Sequence, residues 1–366
     1  MKNSTFSSLL LTEIKLISIV EIAGKSANIL TIVYKTEVFI KMDSFIFAIN
    51  AVLPIVLMVA AGYAIKRFGI IDSSVAKSVN KIVFRLLLPC MLFLNVYSIT
   101  DISSIDASYI IFGVVASLAV FLAAFVTSGF VEKERGRRGV IVQAAFRSNY
   151  ALIGIPLATS LFGNEGSIIA TVLSAFSIPL FNVLAVICLT VFGSTGKPDI
   201  KKILLGIVKN PLILSIFLGF VCLGIRGIFA HYEIAFRLSD VTPVYSAINQ
   251  LSKASTPIAL LALGAQFEFS AVAELKKQII FGTAVRTVIV PALALAAAYF
   301  MGCFNGAHFA AFVALFASPV AVSTVPMTQE MNGDTTLAGQ LVVWTTVVSS
   351  FTVFLFSFLL KSAGIF

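Results

Sequence analysis

Charge is scarce in this sequence. Charged residues make up 12% of its 366 positions, whereas soluble domains carry about a quarter. Acidic residues are missing where a coupled carrier would use them. Glu165, Glu268, Glu330 and Asp334 all fall near the ends of apolar runs, not in their middles. Proton and sodium carriers often keep a buried carboxylate as relay or ligand, and no such coupling site is visible. There are only two histidines, His231 and His308, and neither lies mid-span. No HExxH or GxSxG occurs, so zinc-hydrolase and nucleophile-elbow chemistry find no carrier. The four cysteines, Cys90, Cys188, Cys222 and Cys303, have no CxxC or Cys/His spacing. They read as small apolar filler, not as a metal site or a disulfide framework. No metal and no cofactor is expected. Long loops are also missing, which leaves no room for a soluble catalytic domain.

What is present is apolar. Such residues make up 59% of the chain and the mean hydropathy is +1.02. Apolar runs of about 20 residues recur, the length that crosses a bilayer as a helix. The fold class read from this is an all-α polytopic membrane protein. About ten spans can be drawn, at 44–65, 79–99, 107–130, 140–162, 167–192, 206–229, 242–267, 278–301, 308–330 and 335–360. The net charge of +9 would suggest nucleic acid in a soluble protein. Here the cations sit in loops, thirteen in the odd-numbered loops against Arg226 and Arg237 in the even ones. The positive-inside bias then places the odd loops in the cytoplasm and both termini outside the cell membrane. The bilayer is the partner this implies, and nucleic acid is not one. Residues 1–41 carry five lysines on the wrong side for that topology. They read as an N-terminal extension, disordered or a non-native start, with Met42 as the natural beginning.

Ten spans divide into five and five, and an odd number per repeat inverts the second half. The repeats expected are 42–195 and 196–366. Ser148, Pro156 and Gly163 in span 4 return 170 positions later as Ser318, Pro326 and Gly333 in span 9. In spans 2 and 7, Asn80, Arg85 and Pro89 correspond to Asn249, Lys253 and Pro257, and each cation precedes its proline by four positions. Spans 4 and 9 are expected to break. Gly154 and Pro156 weaken the first, and Pro319 and Pro326 bracket AVSTV in the second. Irregular backbone at membrane depth is tolerated only where it is buried in protein or lines a cavity. The freed helix N-termini favour an anion.

RSNYALIGIPLATSLFG in span 4, SPVAVSTVPMTQ in span 9, Pro89 in span 2, STPIALLALGAQF in span 7 and VRTVIVPALAL in span 8 together resemble the auxin efflux carrier family. That group includes plant PIN proteins and bacterial malate and malonate permeases. The resemblance covers essentially Met42 to Phe366. It implies a scaffold of spans 1, 2, 6 and 7 and a transport domain of spans 3–5 and 8–10. It also implies a crossing of spans 4 and 9 at their prolines and elevator-type transport of a small organic acid. A homodimer is left open. In this sequence Asn149 is paired with Pro319, so an asparagine on both crossing helices is not offered, and the substrate stays open, auxin included.

Among candidate contacts, the Asn149 amide can donate to a carboxylate. Capping of freed backbone is its competing role. Ser148, Ser318, Ser323 and Thr324 offer hydroxyl donors, although such side chains also bond their own helix. Gly154, Pro156, Pro319 and Pro326 are expected to shape the crossover. Arg85 and Lys253 are cations inside spans and so candidates to attract the anion, with snorkelling to an interface as the alternative. Arg147 and Arg286 read as anchors near the cytoplasmic side. An intramembrane enzyme, a channel and a bile-acid-symporter-like sodium-coupled carrier are the competing functions.

Overall fold

The computed structural model describes residues 53–98, 107–193 and 200–366. The expectation for residues 1–41 falls outside them. The described residues all belong to one unit, Phe47–Phe366. They are helical apart from turns and a single antiparallel bridge pair.

We number the helices in chain order. α1 runs over residues 53–67. α2 is Ser73–Tyr97, α3 Ala107–Val131, α4 Arg135–Phe146 and α5 Tyr150–Gly193. α6 is Ile200–Val208, α7 Pro211–His231 and α8 Thr242–Gln266. α9 is Lys276–Met301, α10 Gly306–Ala317, α11 Thr324–Glu330 and α12 Thr335–Ser362. Six of these, α2, α3, α5, α7, α9 and α12, are long and apolar enough to cross a bilayer. Their outward faces carry large apolar side chains such as Ile111, Leu122, Phe130, Phe217, Leu293 and Phe351, as a lipid-facing surface requires. α8 is long enough, but it carries Asn249, Gln250, Lys253 and Ser255 and is less apolar. Span 4 is split between α4 and the start of α5, and span 9 between α10 and α11, so no fragment of either is full length.

Three of the prolines inside spans are absorbed by one device, whereas Pro179 in α5 and Pro257 in α8 sit in helix without it. Before Pro89, Pro156 and Pro291 the helix widens into a π turn: Val83–Leu87, Tyr150–Gly154 and Val285–Ile289. In each, the residue just before the proline donates to a carbonyl five residues back: Leu88 to Val83, Ile155 to Tyr150, Val290 to Val285. A proline ring clashes with the carbonyl four residues earlier and cannot bond it. The wider turn relieves that clash without ending the helix.

α5 bends sharply at Phe162 and Gly163, where Gly163 has φ 58° and ψ −141°. That backbone conformation is open essentially to glycine alone. The bend turns the chain from the first arm of α5 back along the second. α2 packs on α7 and α8, while α3, α4, α5, α9, α10 and α12 pack among themselves. The aromatic contacts Phe121–Phe146 and Phe146–Phe181, with centroids 5.3 and 6.0 Å apart, tie α3, α4 and α5 together.

Candidate functional site

The two breaks meet. α4 ends at Phe146, and Arg147 and Asn149 leave the helical region at φ/ψ −85°/104° and −79°/51°. α10 ends at Ala317, and Ser318 is extended at −64°/149°. Ser148 and Val320 then face each other as an antiparallel bridge. The Asn149 N–H donates to the Pro319 carbonyl at 2.8 Å, and the Ala321 N–H donates to the Arg147 carbonyl at 3.3 Å. A third strut comes from α12, where Thr345 Oγ1 accepts from the Val320 N–H at 3.1 Å. Backbone groups that lost helical partners thus find them in the opposite break, as burial demands.

The second break follows from its sequence. Pro319 biases Ser318 away from the helical region. Pro326 falls in the first turn of α11, where its missing N–H has no intrahelical acceptor anyway. The first break corrects the expectation. It lies at Arg147–Asn149, ahead of Gly154 and Pro156. Pro156 is exposed and sits in continuous helix beyond its π turn. Gly154 serves close packing instead: a Cβ there would meet the ring of Tyr150 and, at 2.9 Å, the Ala314 carbonyl of α10.

Two arginines that read as anchors lie at the heart of the crossing, which is a second correction. Arg147 is 2% exposed and Arg286 0%. Arg286 donates to three backbone carbonyls: Ser318 from Nε at 2.8 Å, Leu315 from Nη2 at 2.9 Å and Ala145 from Nη1 at 3.2 Å. Ala145 and Leu315 are in the last turns of α4 and α10, whose final carbonyls have no intrahelical partner. One guanidinium therefore caps both broken helices. Arg147 donates to Gln143 Oε1 on α4, to Asn182 Oδ1 on α5 at 2.7 Å, and to Ser323 Oγ in the second break at 2.8 Å. Gln143 Nε2 reaches Thr328 Oγ1 of α11. All these partners are neutral. Among the described residues, no carboxylate stands within ion-pair distance of either arginine. A buried charge without a counter-ion is costly, and the crossing holds two.

The same place holds unpaired polar atoms. Ser148 Oγ, Asn149 Nδ2, Ser318 Oγ and Thr324 Oγ1 are buried with no hydrogen-bond partner in the protein. Other such atoms, on Ser117 and Ser357 for example, lie on other helices away from the two breaks. Each unsatisfied buried group costs about 1–3 kcal/mol, so a group of them in two adjoining breaks calls for a functional reason. Ser323 is half-buried.

Ser148, Asn149, Ser318, Ser323, Thr324 and Pro319 are thus brought together, with Pro326 just beyond. Arg85 and Lys253 are not. Both are exposed, and Arg85 Nε pairs with Glu330 Oε2 of α11 at 3.2 Å. Beside that pair Asn80 Nδ2 donates to Gln329 Oε1 at 3.0 Å, so this part of α2 contacts the end of α11. The signal for Arg147 and Arg286 was present: a cation within an apolar span is a functional candidate by default. Their places near the cytoplasmic side make them read as anchors, and only packing shows that both are sealed inside the protein.

The residues that match a known family model span this whole arrangement. The family described as "Membrane transport protein", the auxin efflux carrier family, matches residues 47–357. The chain belongs to that family. A protein named as an uncharacterized transporter in Methanothermobacter thermautotrophicus is 21% identical over 308 residues, covering 83% of this chain and 96% of its own length. An uncharacterized transporter of Methanocaldococcus jannaschii is 27% identical over 222 residues, covering 59% of this chain and 67% of its own length. As a member of the family, this is a multi-pass membrane transport protein.

Proposed function

We propose that this transporter moves a small organic anion, a mono- or dicarboxylate, through a site at the crossing of α4/α5 with α10/α11. The observation that carries the reading is the pairing of two buried, counter-ion-free arginines with unpaired donors at Ser148, Asn149, Ser318 and Thr324. Amide and hydroxyl donors beside a fixed positive charge match a carboxylate, which only accepts. The two breaks belong to inverted five-helix repeats, with the odd loops cytoplasmic and the termini outside the cell membrane. Transport is of the elevator type. In support, α7 and α8 both pack on α2, and α11 meets α2 through polar contacts at Asn80 and Arg85. Such contacts can break and re-form as the two groups of helices slide.

The test is a thermal-shift screen of the purified full-length protein against dicarboxylates, monocarboxylates and indole acids, with sodium and pH varied. The expected result is stabilisation by one class of carboxylate and none by its uncharged amide. Stabilisation by cations or neutral solutes, with no effect of any organic anion, overturns the reading.

A further inference from the structure

Arg147 and Ser323 form an arrangement distinct from the orphaned donors. Arg147 is buried and spends its donors on Gln143, Asn182 and Ser323. Ser323 is half-buried and lies one residue before α11. Its oxygen accepts from Arg147 Nη2 at 2.8 Å. A hydroxyl has one proton. Because the oxygen faces the guanidinium, that proton is directed away from it. Among the described residues no protein acceptor takes it, since the Arg147 contact is the one hydrogen bond of the Ser323 side chain. A hydroxyl that accepts from a cation is also a stronger donor, because the two bonds polarise each other.

We infer that Arg147 is a positioning residue that acts through Ser323. The buried guanidinium holds and polarises the hydroxyl, and Ser323 presents the resulting donor to the anionic group of the substrate. This rests on the organic-anion reading above and deepens it. It explains how a cation sealed from solvent contributes to a binding site. Asn182, the other acceptor on the same Nη2, fixes the angle of the guanidinium, and Gln143 anchors Nη1. The charge is thereby held in α4 and α5 while its effect is delivered in the second break. The site reads charge through one polarised donor and reads shape through Ser148, Asn149, Ser318 and Thr324.

The experiment uses the full-length protein in proteoliposomes, with labelled malonate, lactate and indole-3-acetate as probes. Ser323→Ala is expected to raise KM about tenfold or more for a transported carboxylate, the effect of losing a charge-assisted hydrogen bond, with kcat held. Ser323→Thr restores the hydroxyl and is expected to recover most of the loss. Arg147→Gln is expected to raise KM by a similar factor, yet to add little in the Ser323→Ala background, because the two act as one unit. Full additivity of the two substitutions, or an unchanged KM in Ser323→Ala, overturns the inference. Should Arg147→Gln not fold, the Ser323→Ala and Ser323→Thr pair decides alone. Failure of the native protein to transport any of the three acids, together with no stabilisation in the thermal screen, is failure of the anion reading itself.

Discussion

Arg286 on α9 donates from Nε to the carbonyl of Ser318, the first residue of the second break, at 2.8 Å. The same guanidinium also holds Leu315 and Ala145. One side chain therefore fastens the ends of two helices that approach the crossing from opposite halves of the sequence.

Removing that clasp orphans three buried carbonyls. Arg286→Ala is expected to destabilise the protein by about 3 kcal/mol or more, because three buried carbonyls lose a charged donor at about 1–3 kcal/mol each. Arg286→Lys keeps the charge but not the planar fork, and falls between. Denaturant unfolding in detergent measures both, and wild-type stability for Arg286→Ala would contradict the clasp.

Asn149 makes the opposite prediction. Its side-chain Nδ2 has no protein partner, and its structural bond to Pro319 runs through the backbone. Asn149→Ala should leave stability within about 1 kcal/mol while weakening uptake about tenfold through a lost substrate contact. Proteoliposome uptake beside a melting curve separates the two effects. Unchanged uptake removes Asn149 from the site.

Arg85 and Glu330 join α2 to α11 at 3.2 Å, with the arginine side chain 62% exposed. An exposed pair contributes only about 0–1 kcal/mol, so Arg85→Ala should barely move the melting temperature. If the two helices slide past each other, it should change the transport rate. Exchanging the charges, Arg85→Glu with Glu330→Arg, should restore the native rate. An unaltered rate in Arg85→Ala shows that the pair does not gate motion.

Glu132, in the loop between α3 and α4, supplies a pH prediction. Burial pushes its carboxyl up. Hydrogen bonds from Gln278 and from the Glu134 and Lys133 backbone, with the nearby Arg137 charge, outweigh that and leave it below its ordinary value of 4.5. A lowered carboxylate contributes stability that is present above the unfolded value and is lost as pH falls through the folded one. Acidification from pH 5 downward should therefore destabilise the native protein more steeply than Glu132→Gln. Parallel melting-temperature curves against pH would show that this carboxylate does not contribute.

Most of the fold was legible, because bilayer thickness sets helix length and apolar runs report it directly. The pairing of two breaks was legible in part. Ser148 and Ser318 repeat at 170 positions, and both lie where the helices end. Pro319 marked its own break. Pro156 misled, because a π turn accommodates it, while Arg147–Asn149 breaks without any proline at all. That break depends on Val320, Pro319 and Ser323, which are distant in sequence and cannot be read locally.

The contrast between Arg85 and Arg286 shows where that boundary falls. Each sits in a π turn just ahead of a proline, in FRLLLP and in VRTVIVP. Local chemistry determined that each proline denies its helix one backbone bond, a loss that a π turn absorbs at Pro89 and Pro291. The sequence also determined, through its apolar runs, that this is a membrane protein. Only the tertiary structure decided that Arg85 is exposed beside Glu330 and that Arg286 is sealed against three carbonyls. The cost of burying a guanidinium depends on which acceptors surround it, and those arrive from α4 and α10, on either side of α9 in the chain.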